Sequence, residues 1–265
     1  MTENLVGPAA LTDRAVQRAE VRRTAEKRSL RTATWNMTAG SWTVGVWYWA
    51  IVVVVAAVIG YLGGQTNTFE GEPIEGVVNG SVKFFLFVLG IIFPIGSIAV
   101  HVAAGGTRRS LIRAAWLTAG VVGVTFGLAA ALLGYAEWAV FRSLGWLPTL
   151  ESSQLDVDAR VLGTVFLSQV FFCAVYWLVG AAIGMGYYRL RFLRGTFALP
   201  LLLVPVALVE LAFQSGYFGK PFAQAVGLDD LEVLIAAVGG LVALAAAAFA
   251  FRLVTRSVAI APVTT

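Results

Sequence analysis

The sequence predicts an all-α, polytopic integral membrane protein with six transmembrane helices and both termini in the cytoplasm. Three observations predict it: six long apolar stretches, gaps that alternate between basic and acidic, and Trp and Tyr gathered near the stretch ends. The stretches run Trp42–Gly63, Val77–Val100, Ala114–Tyr135, Val161–Tyr187, Phe197–Phe213 and Leu231–Phe251. Each is about 17–27 residues long, the length a helix needs to cross a ~30 Å hydrocarbon core. Lipid offers no hydrogen-bond partner to a sheet edge or loop, so helices are the form expected there. The chain is 58% hydrophobic and only 13% charged, more apolar surface than a soluble domain can bury.

Charge sets the expected orientation, because Lys and Arg collect on the cytoplasmic side of short loops. Before the first stretch stand Arg14, Arg18, Arg22, Arg23, Lys27, Arg28 and Arg31. The second gap holds Arg108, Arg109 and Arg113; the fourth holds Arg189, Arg191 and Arg194; the C-terminal tail holds Arg252 and Arg256. The opposite gaps are acidic, with Glu70, Glu72, Glu75, Glu151, Asp156, Asp158, Asp229, Asp230 and Glu232. Lys83, Arg142, Arg160 and Lys220 are the basic residues expected on that outer side. The net charge of +4 is thus divided by topology, and nucleic acid is not an expected partner.

Three regions follow: a cytoplasmic tail over 1–40, a six-helix transmembrane domain over 41–254 and a cytoplasmic tail over 255–265. Residues 1–10 read as unstructured. From Thr12 to Ala33 the composition predicts a basic helix lying on the anionic inner leaflet, with Thr12 as its cap. No cleavable signal is expected, since the first forty residues are polar and the first stretch is too long for a signal core. Pro94 in the second span, and Pro200 and Pro205 in the fifth, each remove a helical hydrogen bond and are expected to bend their helices. Glu137 to Arg160 is long enough for an interfacial or re-entrant helix. Gln214 to Phe222 is too apolar for an ordinary loop and is expected to dip back into the outer leaflet. Gly123/Gly127, Gly180/Gly184 and the Gly239/Ala243/Ala247 row let helix backbones approach closely.

Much chemistry is absent. The sequence has no G-x-x-x-x-G-K-[ST] phosphate loop, Gly-x-Ser-x-Gly elbow or His-Glu-x-x-His pair. His101 and Cys173 are the sole histidine and cysteine, too few for a zinc or haem site or a disulfide. Cys173 and Trp177, mid-span, read as packing residues. Glu137 and Glu210 are the carboxylates nearest the apolar stretches, and both read as interfacial. The chain is not expected to be an enzyme.

The segment Phe93-Pro94-Ile-Gly-Ser-Ile-Ala-Val-His101-Val-Ala-Ala-Gly105-Gly106-Thr107-Arg108-Arg109-Ser110-Leu-Ile-Arg113 resembles the second span and first inner loop of small permease subunits of type-2 ABC exporters. Those share a helix with a proline and then a Gly-x-Thr-Arg-Arg turn. Ser110-Leu111 stands here where they usually have a bulky aromatic. Six spans, internal termini and a basic N-terminal helix are also similar to that family.

The resemblance implies a bacterial plasma-membrane permease without its own ATP site, paired with an ATP-binding cassette ATPase and a second permease copy or paralogue. It implies no cofactor in this chain, with ATP and Mg on the partner. A short helix of Gly105, Gly106, Thr107, Arg108, Arg109, Ser110 and Arg113 would dock on the ATPase. An amphiphilic or hydrophobic cargo would pass between two permeases along the first, second and fifth spans. Phe84, Phe85, Phe87, Pro94 and Phe213 are the candidate lining residues. Glu210 with Lys83 or Lys220 is a candidate outer gate. Two other readings stay open: a secondary carrier or small channel that needs no ATPase, and a non-transporting assembly or immunity protein.

Overall fold

The computed structural model describes residues 8–66, 73–144, 162–215, 219, 221, 225 and 233–256. Among the described residues every regular element is helical. The helices are α1 (Pro8–Thr66), α2 (Pro73–Ala103), α3 (Arg108–Leu144), α4 (Leu162–Ala212) and α5 (Val233–Thr255). All five are long and apolar enough to cross a membrane, which makes this a multi-pass membrane-embedded protein.

Two apolar stretches that read as separate spans lie within α4. Its 51 residues hold one non-helical position, Arg191, at φ 61° and ψ 179°. The chain reverses there. The Phe171 and Phe213 rings are 5.9 Å apart, and the Tyr187 hydroxyl lies 3.1 Å from that of Thr196. An unbroken helix would hold residues 171 and 213 about 63 Å apart. α4 is therefore a hairpin of two antiparallel arms. The reversal occurs among Arg189, Arg191 and Arg194, where the sequence turns polar. The backbone stays helical through Pro200 and Pro205. Pro94 also sits inside an unbroken α2. Membrane helices tolerate proline where neighbouring groups satisfy the freed carbonyl, which for Pro94 is that of Gly90 one turn back.

The first arm of α4 is the centre of the molecule. Every residue from Phe171 to Gly186 is buried, including Cys173 and Trp177. Glycine lets the neighbours reach its backbone. A methyl on Gly90 of α2 would strike the Trp177 carbonyl, and one on Gly180 would strike that of Phe87. On another side, methyls on Gly123 and Gly127 would meet Val170 and Ala174. α5 packs through the row Ala236, Gly240, Ala243, Ala247, Phe251 and Val254, all buried, with Gly240 against the Phe171 ring. Small residues at helical spacing are how helices gain contact area in lipid, where no hydrophobic drive pulls them together.

These contacts also fix direction. Lys83 meets Phe172 while Phe87 meets Gly180, so α2 runs parallel to the first arm. Gly123 meets Ala174 while Gly127 meets Val170, so α3 runs against it. Glu26 pairs with Arg113 and Trp42 with Thr125, so α1 and α3 are parallel. Gly240 meets Phe171, and Arg189 reaches the Leu253 and Val254 carbonyls, so α5 follows the first arm. One end of the bundle thus gathers Lys27, Arg28 and Arg31 with the arginines at 108, 109, 113, 189, 191, 194, 252 and 256.

Two expected boundaries are corrected. α1 runs unbroken through residue 40, so the basic stretch and the first span are one helix rather than an interfacial helix followed by a span. No glycine–proline break separates Arg31 from Trp42, and the helix simply continues. α3 likewise carries on to Leu144, so Glu137 extends a span instead of opening a separate helix. Residues 145–161, and with them Glu151, Asp156, Asp158 and Arg160, lie outside the described residues, as do Glu70, Glu72 and Asp229–Glu232.

Gly90→Ala and Gly180→Ala should each lower stability by about 1–3 kcal/mol, because a backbone oxygen cannot step aside as a side chain can. Gly96→Ala and Gly120→Ala, with open space at the same atom, should be neutral or stabilising. Thermal unfolding in detergent, followed by Trp fluorescence, checks both pairs.

Candidate functional site: a capped basic turn and a buried polar cluster

The turn between α2 and α3 is built by two adjoining caps. α2 ends with the Gly106 amide on the His101 carbonyl and the Gly105 amide on that of Val102, with Gly105 at φ 82°. That is a Schellman ending, and its left-handed position favours glycine. α3 begins at once. The Ser110 amide donates to Thr107 Oγ1 at 3.1 Å, and the Thr107 amide donates to Ser110 Oγ at 3.0 Å. This is a reciprocal capping box with serine in the usual Glu or Gln place. Ser110 Oγ donates to the Thr107 carbonyl at 2.7 Å and lies 2.8 Å from His101 Nε2. With that hydroxyl proton spent on the carbonyl, the imidazole is the donor to Ser110. A methyl on Gly106 would fall on the imidazole ring, so glycine is needed there as well.

The turn fixes where the arginines point. Ser110 is fully buried while Arg108 and Arg109 are exposed. Arg113 pairs with Glu26 of α1 at 3.2 Å. The expected short docking helix over Arg108–Arg113 is instead the first turns of α3, since nothing after Arg113 breaks the helix. Arg113 is tied to α1, which leaves Arg108 and Arg109 as the pair projecting from the turn.

At the other end lies a buried polar cluster. Glu210 is 1% exposed and Lys83 6%. The Tyr176 hydroxyl donates to Glu210 Oε1 at 2.5 Å. The Lys83 ammonium lies 4.6 Å from the Phe172 ring centre and 5.9 Å from that of Tyr176. A cation over aromatic faces gains more once desolvated. Below Glu210 the second arm ends in another Schellman pattern: the Ser215 amide bonds to the Glu210 carbonyl, and Gln214 takes φ 52°. Gly219 is buried against that same carbonyl, so the chain comes back over the helix end. Glu137 is also buried, at 5% exposed.

The expected gate joined Glu210 directly to a lysine. Around these residues the central arm supplies the Tyr176 hydroxyl that bonds Glu210 and the Phe172 and Tyr176 rings that face Lys83. Lys220 lies outside the described residues. The candidate lining residues do not share one surface. Phe84 is exposed and meets Tyr176 edge-on. Phe85 stacks on Tyr48 of α1 at 4.4 Å. Phe87 is half-buried with its carbonyl against Gly180, and Pro94 is buried. Phe213 is packed between the arms against Phe171 and Phe172. Sequence reasoning missed Tyr176. The signal was a hydroxyl-bearing aromatic in an otherwise apolar span, which needs a partner when buried.

Tyr176→Phe takes one donor from a buried carboxylate and should cost about 1–3 kcal/mol. Glu210→Gln keeps an oxygen acceptor for Tyr176 and should cost less. Unfolding midpoints of the two variants check the order.

Comparison of the chain with protein-family models, with curated proteins and with solved structures finds no match in any of the three.

Proposed function

We propose that this protein is the permease subunit of an ABC-type exporter, crossing a bacterial plasma membrane six times with both termini in the cytoplasm. Energy would come from a separate ATPase that holds ATP and Mg. A second permease copy or paralogue would complete the passage for an amphiphilic cargo. The observation that carries the reading is the projection of Arg108 and Arg109, side by side, from a doubly capped turn at the arginine-rich end. Supporting it, the α4 hairpin divides five long helices into six apolar segments with alternating direction.

The turn suits coupling because it is stiff. His101, Thr107 and Ser110 knit the end of α2 to the start of α3, so a push on Arg108 or Arg109 would move both helices together. Guanidinium groups pair with carboxylates in fixed, two-point geometry, which suits transmission of force. At the far end, the Lys83–Tyr176–Glu210 cluster would hold α2 to both arms of α4 and keep that end closed at rest.

A second reading has its own observation. Lysine and glutamate buried together inside a helix bundle are also what an ion-coupled carrier uses. The two readings separate cleanly. Protein purified from native membranes should bring down a phosphate-loop ATPase and hydrolyse ATP. Arg108→Glu with Arg109→Glu should abolish both, since opposed interface charges cost several kcal/mol. Transport by the purified chain alone, driven by an ion gradient and lost in Glu210→Gln, would replace the exporter with the carrier.

A further inference from the structure

A groove of about 880 Å³ runs between the basic half of α1 and the start of α3. Its α1 wall is one helical stripe, Lys27, Arg31, Thr34 and Thr38, at spacings of four, three and four, with Arg28 alongside. Its α3 wall is Leu117 and Val121. Because the two helices run parallel, the polarity is graded along the groove. Cationic side chains stand at the mouth, and Leu117 and Val121 stand deeper, level with Thr34 and Thr38. Trp35, 70% exposed, flanks the threonine level.

Thr34 donates its hydroxyl proton to the Leu30 carbonyl, and the Thr38 hydroxyl oxygen is closed off from the groove's open space. Glu26, the nearest acid on the same face, is engaged by Arg113 and leaves the mouth cationic.

We propose that this groove binds one anionic phospholipid: its phosphate between Lys27, Arg28 and Arg31, and one acyl chain along Leu117 and Val121. The match is charge to charge and chain to chain at the level where Trp favours the membrane interface. The bound lipid would bridge α1 to α3 above the Glu26–Arg113 pair. The assignment stands apart from the exporter reading, since it needs only a membrane.

The test uses the purified full chain in mild detergent. Thermal stabilisation is titrated with phosphatidylglycerol, with phosphatidylcholine and with inorganic phosphate. Phosphatidylglycerol should stabilise saturably, and the other two should not. Lys27→Gln/Arg28→Gln/Arg31→Gln should weaken the effect roughly a hundredfold, at about fivefold per charge removed near the surface. Arg22→Gln/Arg23→Gln, on the same helix but outside the groove, should retain it. Equal stabilisation by phosphatidylcholine, equal stabilisation by phosphate alone, or equal loss in Arg22→Gln/Arg23→Gln would each overturn the site.

Discussion

The whole bundle depends on backbone-to-backbone approach around the first arm of α4. Gly90 and Gly180 bring α2 and that arm so close that each glycine faces a carbonyl of the other helix. Gly123 and Gly127 do the same for α3, and Gly240 admits the Phe171 ring to α5. In lipid, attraction between helices comes from dispersion and from the hydrogen bonds that contact permits. Without the glycines the helices would stand apart on their side chains, and the buried stretch from Phe171 to Gly186 would lose its neighbours.

From that centre the two ends diverge in character. The basic end is held by hydrogen bonds at its surface: the Thr107–Ser110 box, the His101 contact, Arg189 on the end of α5 and Glu26 on Arg113. The opposite end places its polar groups inside, where Tyr176, Glu210 and Lys83 are shielded by Phe172 and Phe213. A stiff exposed end can accept a partner, and a buried ionic end can open only at a cost. That asymmetry underlies the exporter reading.

The apolar stretches and the alternating charges made the membrane class, the helical spans and the clustering of arginine at one end readable in advance. They are long-range patterns that solvent imposes. The Thr107 cap was readable too, because a Gly-Gly-Thr run has few other uses. What the sequence hid was continuity and pairing. Nothing local distinguishes a helix that ends at Ala33 from one that runs on to Thr66, and α1 runs on. Prolines advertised bends at 200 and 205, yet the reversal sits at Arg191, a position with no turn residue to mark it. The partner of Glu210 was sought among lysines because charge is visible in a sequence. It proved to include Tyr176, thirty-four residues away and brought near only by the hairpin.

The account rests most heavily on that reversal, since it decides which arginines share an end. Spin labels at Leu162→Cys and Leu211→Cys in a Cys173→Ala background measure it directly by pulsed electron paramagnetic resonance. Antiparallel arms predict a separation within about 25 Å, while a continuous α4 would put the labels about 74 Å apart. The short distance supports the hairpin, and the long one would contradict it.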